Sequence, residues 1–238
     1  MPANLFQSIT DGTTTYSIVN DRTQAGSSMR DGSLDFMVHR RILVDDNRGV
    51  GEPHNETGLN GAGLIVRGRH WVSQDAAPVA SRALRALAAR SLFKAHWATA
   101  PYAGSPAQWV AGGGVPLYSG LRTPGGLPPN VHIVTLHAQG PKTLLLRLAH
   151  MFAVGEDAAL SAPVTVDLAT LFAGFNLTSA EELILPGTLP LTAAPTTSYT
   201  VIGGGVVTLP EIYPAPAGPG LTVTLEAMQI RTWKVTRS

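Results

Sequence analysis

Short apolar runs broken by glycine and proline dominate the chain, and several of them alternate with a period of two. Leu34, Phe36 and Val38 alternate with other side chains, which predicts a half-buried strand. Two β-rich runs, residues 131–138 and 143–154, are separated by Gln-Gly-Pro-Lys and predict a hairpin. Further strands are predicted at 164–168 and 182–185.

The last predicted strand covers residues 221–235. Leu221, Val223 and Leu225 share one face, and the apolar phase then slips to Met228 and Ile230. A β-bulge near Ala227 explains this slip, and so does a bend.

One segment has the period of a helix instead. Asp75 is a candidate cap and Pro78 suits the first turn. An apolar stripe follows, made of Val79, Ala83, Leu84 and Leu87. The tracts rich in Gly, Pro and Ala predict surface loops at 100–106, 112–116, 123–129 and 186–205.

Composition supports an all-β protein with many turns. The chain has 238 residues, 44% of them hydrophobic, with 25 glycines and 18 prolines. This length accommodates one large domain or two small ones. The absence of cysteine from the sequence excludes disulfides and thiolate metal sites.

Charge is sparse and nearly balanced, at a formal +1, so no nucleic-acid footprint is expected. No apolar run reaches the length of about 20 residues that spans a bilayer. The first residues lack the basic and apolar regions of a signal peptide. Two glycosylation sequons, at Asn55 and Asn176, would nevertheless place the chain in the secretory pathway.

Polar groups concentrate in residues 30–53, which hold arginines, acids and a histidine in a chain otherwise poor in charge. Buried groups of this kind are costly unless they pair with one another or bind a polar ligand. Within the segment, Asp45, Asp46, Asn47 and Arg48 predict a polar turn after a strand. From residue types alone, a well-capped loop holding internal ion pairs is favoured over a ligand site.

The same region resembles a family. Its motifs occur in order as Asp21-Arg-Thr-Gln-Ala-Gly-Ser-Ser, Asp31-Gly-Ser-Leu, His39-Arg-Arg, Asp45-Asp-Asn-Arg-Gly-Val, Glu52-Pro and Asn55-Glu, followed by similar segments at 66–70, 152–157 and 225–232. They resemble the C-terminal half of the lysosomal-type α-mannosidases, the zinc-dependent retaining enzymes of glycoside hydrolase family 38. The resemblance covers most of the chain and is patchier between residues 100 and 127.

The resemblance implies β-sandwich domains. Residues 1–127 would form part of a galactose-mutarotase-like super-sandwich that carries the Asp-Asp-x-Arg-Gly turn, and residues 128–238 a C-terminal β-sandwich, with one helix in the chain. By the same match, Arg48 reaches the sugar pocket with support from Asp45 and Asp46. The side chains of His39, Arg40 and Arg41 would hold the strand and the turn in place.

The catalytic parts of such an enzyme have no match in this sequence. Retaining hydrolysis needs a carboxylate nucleophile and a carboxylic acid about 5 Å apart. The family also uses a zinc ion, whose ligands lie in an upstream catalytic domain. No His-x-x-x-His pair occurs here, and His132 and His137 are spaced for opposite faces of a strand. We therefore expect neither a catalytic residue nor a metal site in this chain. The four tryptophans, Trp71, Trp97, Trp109 and Trp233, are expected in cores or domain seams.

Two hypotheses follow. In the first, the chain is the C-terminal portion of a lysosomal or vacuolar enzyme that removes terminal α-linked mannose from N-glycan oligosaccharides. Its partners would be the upstream catalytic domain and the sugar, and on its own it would be inactive and poorly soluble. In the second, it is a free-standing carbohydrate-binding or structural β-sandwich without catalysis. An unrelated all-β adhesin or capsid-like protein is a third, less supported interpretation.

Overall fold

A computed structural model describes residues 1–49, 51–93, 98–115, 118–122, 127–195, 198–208 and 221–238. Val50, Trp97 and residues 123–126 of a predicted loop lie outside these ranges, as do residues 116 and 196–197 of two others. The chain divides into two compact units, residues 1–98 and 99–238. The sandwich boundary expected at 127/128 stays a prediction. No described helix is long and apolar enough to cross a membrane.

The described residues of unit 1 form six strands and one long helix. The strands are β1 Pro2–Ala3, β2 Phe6–Thr10, β3 Thr14–Asn20, β4 Gln24–Ser27, β5 Asp35–Met37 and β6 His70–Ala76, and the helix α1 is Ala77–Leu92. Strands β2, β3 and β6 form one antiparallel sheet in that order, and β1, β4 and β5 form another. The strand predicted at 34–38 is confirmed as the shorter β5, which pairs with β4.

The core of unit 1 lies between α1 and the β2-β3-β6 sheet. Val19 is opposite Phe6 on one side and Trp71 on the other, and this row packs against Leu84 and Ala88 of the helix. Residues directly opposite one another in a sheet lie on the same face. Helix α1 therefore covers a small apolar row on one face of the sheet and does not cover the other face.

The helix was predicted in the right place but with the wrong cap and with only part of its buried face. Asp75 lies in β6, and the N-cap is Ala76, whose side chain makes no capping bond. Pro78 does lie in the first turn. The buried stripe is Ala80, Leu84, Ala88 and Ser91, which shares Leu84 with the predicted stripe, and the half-buried Leu87 packs against the same cluster. The prediction followed the larger apolar side chains, whereas three of the four buried positions carry alanine or serine.

Unit 2 is a β-sandwich. Its strands are β7 Val131–Ala138, β8 Thr143–His150, β9 Val164–Asp167, β10 Leu177–Leu183, β11 Ser198–Thr200, β12 Val206–Thr208, β13 Thr222–Leu225 and β14 Ile230–Arg237. A four-stranded antiparallel sheet has the order β10-β14-β8-β7, and β9 pairs with β13 in a second sheet. Leu146 and Trp233 of the first sheet share one core with Val166 and Val223 of the second.

The predicted hairpin is confirmed. Strands β7 and β8 pair antiparallel, and Gln139 N donates to Thr143 O across the turn. A register shift between Ile133 and Thr135 marks a bulge in β7. The strand predicted at 164–168 is β9, and the one at 182–185 is the end of β10.

The single strand predicted at 221–235 is wrong. Strand β13 pairs with β9 in one sheet, while β14 pairs with β8 and β10 in the other. Between them, Gln229 N donates to Glu226 O, and Met228 has a φ of 61° in the left-handed region. A turn that moves the chain between sheets therefore produces the phase slip, which agrees with the predicted bend and not with the alternative of a bulge near Ala227.

Short elements lie between or within the predicted loops, and the helix α2, Pro106–Ala111, lies between the loops predicted at 100–106 and 112–116. It begins at a capping box formed by Ser105 and Gln108. Within the predicted loop 186–205 lie a 3₁₀ turn, Leu191–Ala193, and the strand β11 of the β11–β12 hairpin. Helix α2 begins at a polar cap and has no buried residue, which explains why the apolar pattern did not indicate it.

Candidate functional site

The polar segment closes on itself at a narrow base. Ile42 N donates to His54 O at 3.0 Å, and one residue outside that pair Arg41 Nε donates to Asn55 Oδ1 at 2.6 Å. We name the chain between these contacts, residues 42–54, the Arg48 loop. Its two ends are thus held side by side, as in compact functional loops on a rigid frame.

Two side chains shape the turn at the tip of the Arg48 loop. Asp45 Oδ2 accepts from Asn47 N at 2.8 Å, and Asp46 Oδ1 accepts from Arg48 N at 3.0 Å. Asn47 has a φ of 57°, a conformation that asparagine tolerates better than most residues. Consecutive Asx turns fix the backbone on either side of Asn47, so both carboxylates are used locally.

Arg48 itself is exposed. Within the described ranges its guanidinium makes no hydrogen bond and no ion pair. A planar guanidinium offers forked donors that match vicinal hydroxyls or a carboxylate. The loop therefore presents an unused cation on a fixed backbone, and of the two neighbouring acids Asp45 is half-buried and Asp46 is exposed.

His39 and Arg40 lie on a different surface. Together with Met37 and Val38 they line a cleft of about 320 Å³ against residues 22–25. Both side chains are exposed. Of the three residues predicted to support the turn, only Arg41 makes a bond to the base of the loop within the described ranges.

The flanking motifs 21–28 and 66–70 bind each other. Asp21 Oδ1 accepts from Arg22 Nε at 2.9 Å, and Asp21 Oδ2 accepts from Arg69 N at 2.9 Å. The Asp21 carboxylate raises the pKa of Arg22, and the same guanidinium donates to Arg67 O. His70 Nε2 lies 2.7 Å from Gln24 Oε1. These bonds hold the segment that leads into β6 against residues 21–24.

The later motifs are also structural. In residues 152–157, Asp157 Oδ1 accepts from the backbone of Ala159 and Leu160, and Glu156 Oε2 accepts from Ala153 N. In residues 225–232, Arg231 forms a buried two-pronged pair with Glu182. Sequence reasoning missed this pair because its members are far apart in the chain.

A second cleft, of about 580 Å³, opens beside the face of the β2-β3-β6 sheet that α1 does not cover. Tyr16, Gln74 and Asp31 line it together with Asp11. Hydrogen bonds from Thr14 and Thr13 hold the pKa of Asp11 down to about 2. Asp11 is thus ionised at any ordinary pH, although its bonds serve the β2–β3 turn.

The described residues do not fit a zinc site, because no three of their His, Asp or Glu side chains converge. Trp233 and Trp71 belong to the cores of their units, whereas Trp109 is 41% exposed on α2. The two sequon asparagines are exposed, and Asn176 Oδ1 accepts from Arg122 Nη2 at 2.8 Å.

Curated relatives cover almost the entire chain. It is 43% identical to the lysosomal alpha-mannosidase of Bos taurus over 245 residues, and 43% identical to that of Homo sapiens over 234 residues, with 98% of the chain aligned in each case. The alpha-mannosidase of Canavalia ensiformis is 29% identical over 238 residues. The chain spans about a fifth of the length of these relatives, 22% of the two mammalian proteins and 24% of the plant protein. No protein-family model matches it.

Proposed function

Because the chain is homologous along nearly its whole length to a segment of the lysosomal alpha-mannosidases, we propose that it forms the C-terminal, non-catalytic portion of such an enzyme. The parent would belong to glycoside hydrolase family 38 and would release terminal α-linked mannose from N-glycan oligosaccharides. It would act in a lysosome or vacuole. The similarity along the chain to proteins with this name supports the proposal.

We further propose that Arg48 completes the sugar pocket of the parent. The observation that carries this proposal is the unused guanidinium on a fixed turn. The carboxylates of Asp45 and Asp46 accept hydrogen bonds from the backbone. They therefore orient Arg48 without neutralising it through a direct ion pair. In a pocket shielded from water, forked donors to sugar hydroxyls contribute both binding and orientation.

The reacting carboxylates and the zinc ion would belong to other parts of the parent polypeptide. A retaining mechanism requires two carboxyl groups facing each other across the glycosidic bond. The described acids of the Arg48 loop are engaged in its turn, and no metal cluster is found among the described side chains. This chain would therefore contribute substrate binding and a supporting β-framework.

Substitution of Arg48 in the parent enzyme tests the proposal. Arg48→Ala should lower kcat/KM for an aryl α-mannoside by about tenfold to a hundredfold, the range expected for a lost charge-assisted hydrogen bond. Arg48→Lys should recover only part of this loss, because an ammonium cannot form the forked contact. The purified 238-residue chain, with or without zinc, should hydrolyse nothing.

Arg90→Ala is the matched control, since Arg90 is an exposed arginine at the last turn of α1. It should leave kcat/KM unchanged. Unchanged kcat/KM in Arg48→Ala would refute the role of Arg48, and hydrolysis by the isolated chain would refute the assignment of catalysis to other polypeptide.

A further inference from the structure

The position of the Arg48 loop depends on its base. Two contacts cross the base, the bond of Ile42 with His54 and that of Arg41 with Asn55, and within one arm Asn55 N also donates to Pro53 O at 2.9 Å. Within the described ranges, no other hydrogen bond or ion pair joins residues 42–49 or 51–54 to the rest of unit 1. The Asx turns of Asp45 and Asp46 are internal to the loop. Where the tip points is therefore set by the two contacts at the base.

Of the two contacts at the base, the hydrogen bond of the Arg41 side chain is of the stronger type. Arg41 donates through a charged group at 2.6 Å, a short distance typical of charge-assisted bonds, whereas Ile42 N and His54 O are a neutral pair at 3.0 Å. Arg41 also reaches the turn that follows, because its Nη1 lies 3.7 Å from where a Cβ would stand on Gly63. Gly63 is in turn bridged to Thr57. Arg41 is thus held between Asn55 and a closed turn.

Asn55 is also the acceptor residue of a sequon, and its two roles use different atoms. The amide oxygen accepts from Arg41, while Asn55 as a residue is exposed and its Nδ2 has no hydrogen-bond partner in the described ranges. An N-linked glycan is attached at Nδ2, which leaves the oxygen free to accept. A glycan at this position is compatible with the bond to Arg41.

We propose that Asn55 is a positioning residue: its side-chain oxygen, bound by Arg41, fixes the base of the Arg48 loop and thereby the direction of Arg48, whether or not Asn55 carries a glycan. The effect on catalysis rests on the function proposed above for Arg48. The effect on the loop does not rest on that function, so the role of Asn55 in the loop and the function of Arg48 can be refuted separately.

The loop is tested on the unglycosylated chain by trypsin, which cleaves after the exposed Arg48. Asn55→Ala and Arg41→Ala should each increase the rate of cleavage after Arg48 about fivefold, as expected for one lost hydrogen bond that holds a surface loop. Asn55→Asp keeps the accepting oxygen and should restore the original rate. Arg90→Ala removes an arginine elsewhere and should change nothing. Equal cleavage rates in all four variants would refute the proposal.

Thr57→Ala, produced in a glycosylating host, distinguishes the effect of the glycan from the effect of the hydrogen bond. This variant loses the sequon but keeps Asn55, so loop cleavage and enzyme kinetics should match those of the unchanged protein. If Thr57→Ala reproduces the effects of Asn55→Ala, the glycan rather than the side-chain bond positions the loop, and the proposal is wrong.

A double-mutant cycle in the parent enzyme shows whether Asn55 acts through Arg48. Asn55→Ala should lower kcat/KM about three- to tenfold when Arg48 is present and less than about twofold in the Arg48→Ala background, because residues of one functional unit are not additive. Additive losses would mean that Asn55 supports the fold in general and would overturn the positioning role. If Arg48→Ala has no effect, the proposed function fails, while trypsin cleavage still decides the role of Asn55.

Discussion

Asn47 shows how a single backbone conformation can free a side chain for binding. Its left-handed φ of 57° lies between two Asx turns, in which the aspartates accept from the backbone N–H groups of Asn47 and Arg48. Asparagine accepts this conformation at lower cost than most residues. The acids of the motif therefore serve the backbone, and the arginine remains available.

His132 gives unit 2 a dependence on pH. Burial lowers the pKa of His132 below its ordinary value of 6.5, since the half-buried ring is costly to charge. The unfolded chain then binds a proton more readily than the folded one, so the free energy of unfolding falls as pH drops through 6.5 toward the folded pKa. The stability that neutral His132 contributes is fully present above pH 6.5.

His132→Gln should flatten this dependence. Urea unfolding at pH 5 and at pH 7.5 measures it, and the difference between the two pH values should shrink relative to the unchanged chain. His137→Gln is the control, because His137 is an exposed histidine of the same strand. The attribution to His132 would be wrong if both variants kept the original difference.

At the scale of elements, a buried ion pair joins strands of unit 2. Arg231 on β14 binds Glu182 on β10 through two bonds, of 2.6 and 2.5 Å, and donates to Thr224 O on β13 at 2.8 Å. Both charged side chains are nearly inaccessible, at 7% and 5% of their surface. Arg231 therefore links the two sheets of the sandwich, because it binds β10 in one sheet and β13 in the other, across the turn at 226–229.

Breaking this pair should be costly, because the remaining charge would stay buried without its partner. Glu182→Leu is expected to reduce the free energy of unfolding of unit 2 by about 3–5 kcal/mol. The double variant Glu182→Leu/Arg231→Met should recover most of that loss. Glu181→Gln is the neighbouring control: its pair with Lys234 is exposed and 3.9 Å long, so it should cost less than about 1 kcal/mol. A similar loss in Glu181→Gln and Glu182→Leu, measured by urea titration, would contradict the argument.

The elements that the sequence predicts well are those whose neighbours are close in the chain. The β7–β8 hairpin follows from two apolar runs around a Gly-Pro turn. Strand β3 was missed because its helix-covered face carries Thr15 and Ser17, which interrupt the apolar alternation although both are buried. In the candidate site, the Asx turn is local and was predictable. The bond between Arg41 and Asn55 joins the two ends of a long loop, and neither residue type alone indicates it.

At the scale of the whole molecule, the two units differ in how much core they hold. The core of unit 2 extends across both of its sheets, from Leu144 to Val235, whereas the buried cluster of unit 1 comprises Val19, Leu84 and Ala88. The β2-β3-β6 sheet is covered by α1 on one face, and Val72 on the other face is 58% exposed. Since the relatives are several times longer than this chain, we propose that other polypeptide of the parent enzyme supplies part of the stability of unit 1.

The isolated chain should accordingly unfold in two steps, with unit 1 first. Buried apolar area is the main source of stability, and unit 1 has less of it. Trp71 reports on the core of unit 1 and Trp233 on that of unit 2, so their indole NMR signals, assigned with Trp71→Phe and Trp233→Phe, can be followed in urea. The Trp71 signal should disappear at the lower urea concentration. Simultaneous loss of both signals would show that the two cores unfold as one cooperative unit, and the Arg48 loop would then share the stability of the larger core instead of depending on the smaller one.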